Sequence, residues 1–135
     1  MERCLFKGND CRVGNLRLKP PELISIENRN GTLLHGAIYW PSSEVSAMPF
    51  PTVISVYGGP GAQMVTNSWV LTASMRAQYL SSLGFLVFVL DNRGSGRRGM
   101  DFEAVLKGSL GRAEVDDQVD GVRWLIDQGF SDPSR

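Results

Sequence analysis

Two short apolar runs constrain this chain more than anything else in it: "TVISVY" (Thr52 to Tyr57) and "FLVFVLD" (Phe85 to Asp91). Neither alternates apolar with polar. Both are dense in β-branched and aromatic side chains, the make-up of a strand covered on both faces. Between them, "SWVLTASMRAQYLSSLG" (Ser68 to Gly84) carries a rough helical stripe of apolar residues, from Trp69 and Leu71 to Leu80 and Leu83, with Gly84 as its stop. Strand, helix, strand in that order predicts parallel pairing and a sheet with helices on both sides.

The flanking segments extend that pattern. "RAEVDDQVDGVRWLIDQG" (Arg112 to Gly129) reads as an amphipathic helix with Val115, Val119, Val122, Leu125 and Ile126 on its apolar face. Glu114, Asp116 and Asp117 stand near its start, where the helix dipole favours negative charge. "MDFEAVLK" (Met100 to Lys107) is a shorter helix. Upstream, "ELISIEN" (Glu22 to Asn28) and "LLHGAIYW" (Leu33 to Trp40) flank Asn30-Gly31, the strongest two-residue hairpin signal. The expected fold is therefore α/β: a partial, mixed, mostly parallel sheet with a leading antiparallel hairpin. Residues 1–19 form an irregular N-terminal segment and 20–135 the one domain. The last helix should cross over into a further parallel strand, yet only "SDPSR" (Ser131 to Arg135) follows it. On this reading the chain is truncated.

Composition removes several function classes. Fourteen basic and fourteen acidic residues cancel, so no field attracts nucleic acid or an anionic membrane. No apolar run approaches the roughly 20 residues that span a bilayer. The start, "MERCLFKGNDCRVGN", lacks the apolar core of a signal peptide. Cys4 and Cys11 have no second pair of ligands nearby and read as free thiols in a reducing, cytoplasmic setting. No metal and no cofactor is expected.

What chemistry the chain does carry sits where the parallel strands end, the edge at which open α/β sheets bind ligands. Tyr57 opens "YGGPG" there, and Asp91 opens "DNRGSG". A glycine-rich loop after the third strand is the place of an oxyanion donor in α/β-hydrolases, and the Tyr57 phenol is a candidate for it. From pattern alone, Tyr57 serves equally well as a strand-end aromatic packed on a turn. "GSGRRG" (Gly94 to Gly99) matches G-x-G-x-x-G, the dinucleotide fingerprint. The acidic residue that should follow about 20 positions later falls at Glu114 to Asp117, inside a helix, so a solvated arginine loop with turn glycines is the better reading. His35, the single histidine, falls in the second hairpin strand, away from the ligand edge, as a half-exposed strand residue. With one histidine and no G-x-S-x-G, no Ser-His-Asp triad forms within these residues.

Four of these stretches occur together in one known family. The Tyr-Gly-Gly-Pro loop, the Asp-x-Arg-Gly-Ser-Gly loop and the Gly-x-x-Glu-x-x-Asp-Gln helix, preceded by the "TVISVY" strand, follow one another as in the prolyl oligopeptidase family. The chain resembles the N-terminal part of its α/β-hydrolase catalytic domain over residues 20–135. The dipeptidyl peptidase IV branch is most similar, the dipeptidyl peptidase 8/9-like members above all. The resemblance implies a serine peptidase that releases dipeptides from peptide N-termini, usually after proline. It implies that Tyr57 stabilises the oxyanion, and that the catalytic Ser, Asp and His lie outside this stretch, so that the isolated chain hydrolyses nothing. The implied partners are a peptide substrate and, for the parent enzyme, a second copy of itself. A lipase- or esterase-like hydrolase fragment and a non-catalytic binding module are the alternatives.

Overall fold

The computed structural model describes residues 14–42 and 44–135; the expectations for Cys4 and Cys11 fall outside them. Four strands form one sheet: β1 (Glu22–Glu27), β2 (Leu33–Tyr39), β3 (Thr52–Ser55) and β4 (Leu86–Asp91), in the order β1-β2-β4-β3. The β1–β2 and β2–β4 pairs are antiparallel, and β3–β4 is parallel. The helices are α1 (Trp69–Thr72), α2 (Met75–Ser82), α3 (Met100–Glu103), which runs on into a 3₁₀ turn, and α4 (Ala113–Asp127). This is the mixed α/β sheet read from the sequence, with the hairpin on one side and the strand–helix–strand unit on the other, but it is not mostly parallel: two of its three strand pairs are antiparallel, because β2 of the hairpin lies directly beside β4.

β4 is the axis of the sheet. All six of its residues are buried, and they alternate between two cores. Leu86, Phe88 and Leu90 join Leu34, Ile38, Phe102 and Leu125 on the α3–α4 side. Val87 and Val89 join Ala37, Tyr39, Leu71 and Ala77 on the α1–α2 side. A strand with apolar neighbours on both faces has no use for alternation, which explains "FLVFVLD". β3 is different. It is the edge strand, all four residues are only half-buried, and Val56 and Tyr57 are already loop.

Three local expectations are corrected. The hairpin forms as expected, but its loop is one residue longer than the expected strand bounds leave: β1 and β2 pair through Glu27 and Leu33, so residues 28–32 are the loop. The Asn28 side chain organises it, its Oδ1 accepting from the Asn30 and Thr32 N–H groups at 3.0 and 2.8 Å. The expected single helix over 68–84 breaks at Ala73–Ser74 into α1 and α2. Of its stripe, Leu71 and Ala77 are buried, whereas Trp69, Met75, Tyr79 and Leu83 are exposed.

The largest correction concerns α4. Glu114, Asp117, Gln118, Gly121 and Leu125 are its buried face, and Val115 and Val119 are exposed. Gly121 brings the helix onto the sheet: a Cβ there would lie 2.8 Å from Leu90 and 2.9 Å from Phe88. Its polar neighbours are buried and each has at least one partner, although Glu114 Oε2 and Gln118 Oε1 have none among the described residues. Asp117 is fully buried and accepts from Asn28 Nδ2 (2.7 Å), the Arg93 backbone N–H (2.7 Å) and the Arg93 guanidinium. Gln118 donates to the Leu90 carbonyl and to Asn92 Oδ1, both at 3.0 Å. Arg93 was expected in a solvated loop; instead its side chain is largely buried against Asp117.

Two predictions follow from this packing. Asp117→Ala would leave the Arg93 charge buried and unpaired, so the chain should lose about 3–5 kcal/mol. Arg29→Ala removes a half-exposed pair with Asp116 and Asp120 and should cost less than about 1 kcal/mol. Urea unfolding checks both, and equal losses would contradict the assignment. The second prediction concerns the Asp132–Arg135 turn. The Ser134 hydroxyl and N–H and the Arg135 guanidinium lower the Asp132 carboxyl from 3.8 to about 2. A lowered folded value stabilises the turn above the unfolded one. That contribution should be whole above pH 3.8 and fade as the pH falls through about 2, readable as the NMR titration of the Asp132 carboxyl.

Candidate active site

β3 and β4 run parallel, so the loops that follow them leave the sheet at the same edge. They interlock there. The Gly61 N–H donates to the Gly94 carbonyl at 2.9 Å, and the Gly96 N–H to the Ala62 carbonyl at 3.2 Å. A Cβ on Gly96 would lie 2.6 Å from the Gly61 oxygen, and one on Gly94 2.2 Å from Leu106. The first two glycines of "GSGRRG", Gly94 and Gly96, therefore clear space for neighbouring protein atoms, which argues against reading them as a phosphate cradle.

Each residue after β4 has its own task. Asp91, 5 % exposed, accepts the Met64 N–H on Oδ1 (2.7 Å) and the Val65 N–H on Oδ2 (3.0 Å). Burial pushes its carboxyl up from the ordinary range, against the downward pull of those two N–H groups, His35 and Arg98. Asn92 meets Gln118 and Arg93 meets Asp117. Arg97 is exposed, its backbone N–H donating to Glu103 Oε1 at 2.9 Å. Arg98 lies 4.3 Å over the Phe102 ring and donates to the Leu33 carbonyl at 3.0 Å.

Tyr57 stands just past the end of β3, 58 % exposed. Its ring rests against Gly59, where a Cβ would lie 3.0 Å from Tyr57 Cε1. Among the described residues its hydroxyl has no hydrogen-bond partner. It lines a groove of about 760 Å³ with Ile54, Val56, Leu110, Val115 and Val119. Val115, Val119 and Val122 from the α4 face that the sequence assigns to the core are thus one wall of this groove, whereas Leu125 of that face is in the core as expected. Tyr57 is not packed into a core, and it lies at the edge where ligands of such sheets bind.

His35 is not where the sequence placed it. β2 runs antiparallel to β4, so its early residue His35 pairs with Asp91, the last of β4, level with the ligand edge. Its Nδ1 lies 2.9 Å from Ser25 Oγ. This is not a triad: the serine approaches Nδ1, the nitrogen that an orienting carboxylate would take, and both Asp91 oxygens already accept backbone N–H groups. Among the described residues no cluster of three or more His, Cys, Asp or Glu side chains could hold a metal ion, and no helix is long and apolar enough to cross a membrane.

Comparison with known proteins gives this edge its context. Residues 71–135 match the prolyl oligopeptidase family. Dipeptidyl peptidase 8 of Mus musculus is 42 % identical over 109 residues, 81 % of this chain and 12 % of that protein. The chain belongs to the prolyl oligopeptidase family. A probable dipeptidyl-aminopeptidase B of Aspergillus terreus is 33 % identical over 86 residues, 64 % of this chain and 9 % of its own length. Among solved structures, a putative dipeptidyl aminopeptidase IV from Bacteroides ovatus superposes with a TM-score of 0.78 at 37 % identity, over 86 % of this chain and 16 % of that one. The chain thus spans 12 % of the length of its dipeptidyl peptidase 8 relative from mouse.

The interlock itself is testable. Gly96→Ala drives a methyl into the Gly61 carbonyl, backbone against side chain, and should cost about 1–3 kcal/mol as overpacking does. Gly111→Ala has open space around its Cβ but a φ of +88°, so its smaller cost of about 1 kcal/mol comes from backbone strain alone. Thermal melts of the two variants should separate them in that order.

Proposed function

We propose that this stretch is the oxyanion-stabilising part of a serine dipeptidyl peptidase, with Tyr57 as one donor. The observation that carries the reading is the free phenol at the carboxyl end of β3, beside a glycine loop and over an apolar groove. In acyl transfer the carbonyl oxygen gains charge as the tetrahedral intermediate forms. A preset O–H donor is stronger towards that oxyanion than towards the ground-state carbonyl, so it raises kcat more than it changes KM. The substrate is a peptide with a free N-terminus, cut after its second residue, usually proline. The nucleophile, base and acid come from elsewhere in the enzyme, since these residues hold one histidine and no G-x-S-x-G. Relatives that are named dipeptidyl peptidases or dipeptidyl-aminopeptidases support this class over a lipase or esterase. A cytoplasmic location and a homodimeric enzyme complete the proposal.

The test is a chimera in which this chain replaces the matching 109 residues of mouse dipeptidyl peptidase 8. It should hydrolyse a chromogenic X-Pro substrate, while the 135-residue chain alone should not. Tyr57→Phe in the chimera should lower kcat about 10²-fold, the cost of one lost oxyanion donor, and leave KM within about twofold. An unchanged kcat refutes the role of Tyr57.

A further inference from the structure

We infer that Asp91 is a positioning residue for Tyr57: its carboxylate fixes the loop against which the phenol rests. The inference rests on the oxyanion role proposed above and adds to it a residue that does not touch substrate.

Asp91 is the last residue of β4, buried, and cannot move without the sheet. Its two oxygens take two successive backbone N–H groups, those of Met64 and Val65, at 2.7 and 3.0 Å. Only a carboxylate offers two acceptors in that geometry; an amide would turn its NH2 toward one of the donors. Two further bonds, from Gly61 N–H to the Gly94 carbonyl and from Gly96 N–H to the Ala62 carbonyl, attach the same loop to the residues just after Asp91. Residues 61–65 are thus held at four points by residues 91–96. What remains between that anchor and β3 is Val56 to Pro60, and within it the Tyr57 ring lies against Gly59. The phenol is therefore placed from two sides, by β3 behind it and by the Asp91-anchored loop in front. The charged groups that face Asp91 are His35 from β2 and Arg98 from the loop after β4. Neither replaces it as an acceptor for two N–H groups.

Hydrogen exchange on the 135-residue chain is the first readout. In Asp91→Asn the Met64 and Val65 amides should exchange at least about tenfold faster, as a local opening does, with the β4 amides unchanged. Unchanged exchange at both amides overturns the anchoring. The second readout is a double-mutant cycle in the chimera. Asp91→Asn alone should lower kcat about tenfold or more with KM nearly constant. In the Tyr57→Phe background the same change should lower kcat less than about twofold, because the two residues act as one unit. If the two losses multiply, Asp91 supports only the fold and the inference fails while the role of Tyr57 stands. If Tyr57→Phe is silent, the oxyanion reading fails and takes this inference with it. Should Asp91→Asn not fold, Asp91→Glu keeps both acceptors and shifts them by one methylene, and it must show the same coupling.

Discussion

The architecture depends on a buried ion pair. The Asp117 side chain of α4 has no exposed surface, and the Arg93 side chain that meets it is 15 % exposed. Two charges removed from water tolerate no vacancy: each is costly alone and acceptable only with the other. The carboxylate is filled on every side, by Arg93 through both backbone and side chain and by the Asn28 amide. Asn28 in turn organises the β1–β2 loop through Oδ1. One carboxylate therefore fixes three elements to one another: the helix, the hairpin and the loop after β4. Hydrophobic contact is non-directional and would let α4 slide along the sheet. The ion pair and Gly121 together set where it stops.

That placement decides the ligand edge. With Arg93 held by α4, Gly94 and Gly96 come within hydrogen-bonding reach of the loop after β3. Neither glycine has room for a side chain. The glycines that look like an invitation to a ligand are spent mostly on each other. What they leave free is a phenol on one rim and a valine-lined helix face on the other. The two loops form a rigid frame because their contacts are backbone to backbone, and few side-chain rotamers have to be ordered to build it.

The sequence disclosed the elements that depend on one-dimensional pattern. The doubly covered β4, the hairpin and the approximate span of α4 follow from runs, turn residues and periodicity, and Tyr57 follows from its position at a strand end. Hidden were the features set by contacts distant in sequence. Nothing local to Arg93 says that Asp117, 24 positions on, lies beneath it. His35 looked remote from the ligand edge because strand order, not sequence, puts an antiparallel strand beside β4. Asp91 was visible only as the first letter of a motif, although an acidic residue ending an otherwise apolar buried strand is a signal in itself: such a charge needs partners.

The misreading of α4 has a physical cause. Periodicity finds an apolar stripe and assumes that this stripe is what the domain buries. Here the helix has two coverable faces. Its polar face is buried because Glu114, Asp117 and Gln118 exchange water for fixed partners: the Gly111 N–H on Glu114, Arg93 on Asp117, and Leu90 and Asn92 on Gln118. Of its apolar face Leu125 still reaches the core, while Val115, Val119 and Val122 line the groove beside Tyr57. A stripe of valines exposed next to an unpartnered phenol is costly for stability and gives a groove with a dry wall. The same inversion that defeats the periodicity rule thus leaves an apolar wall beside the phenol.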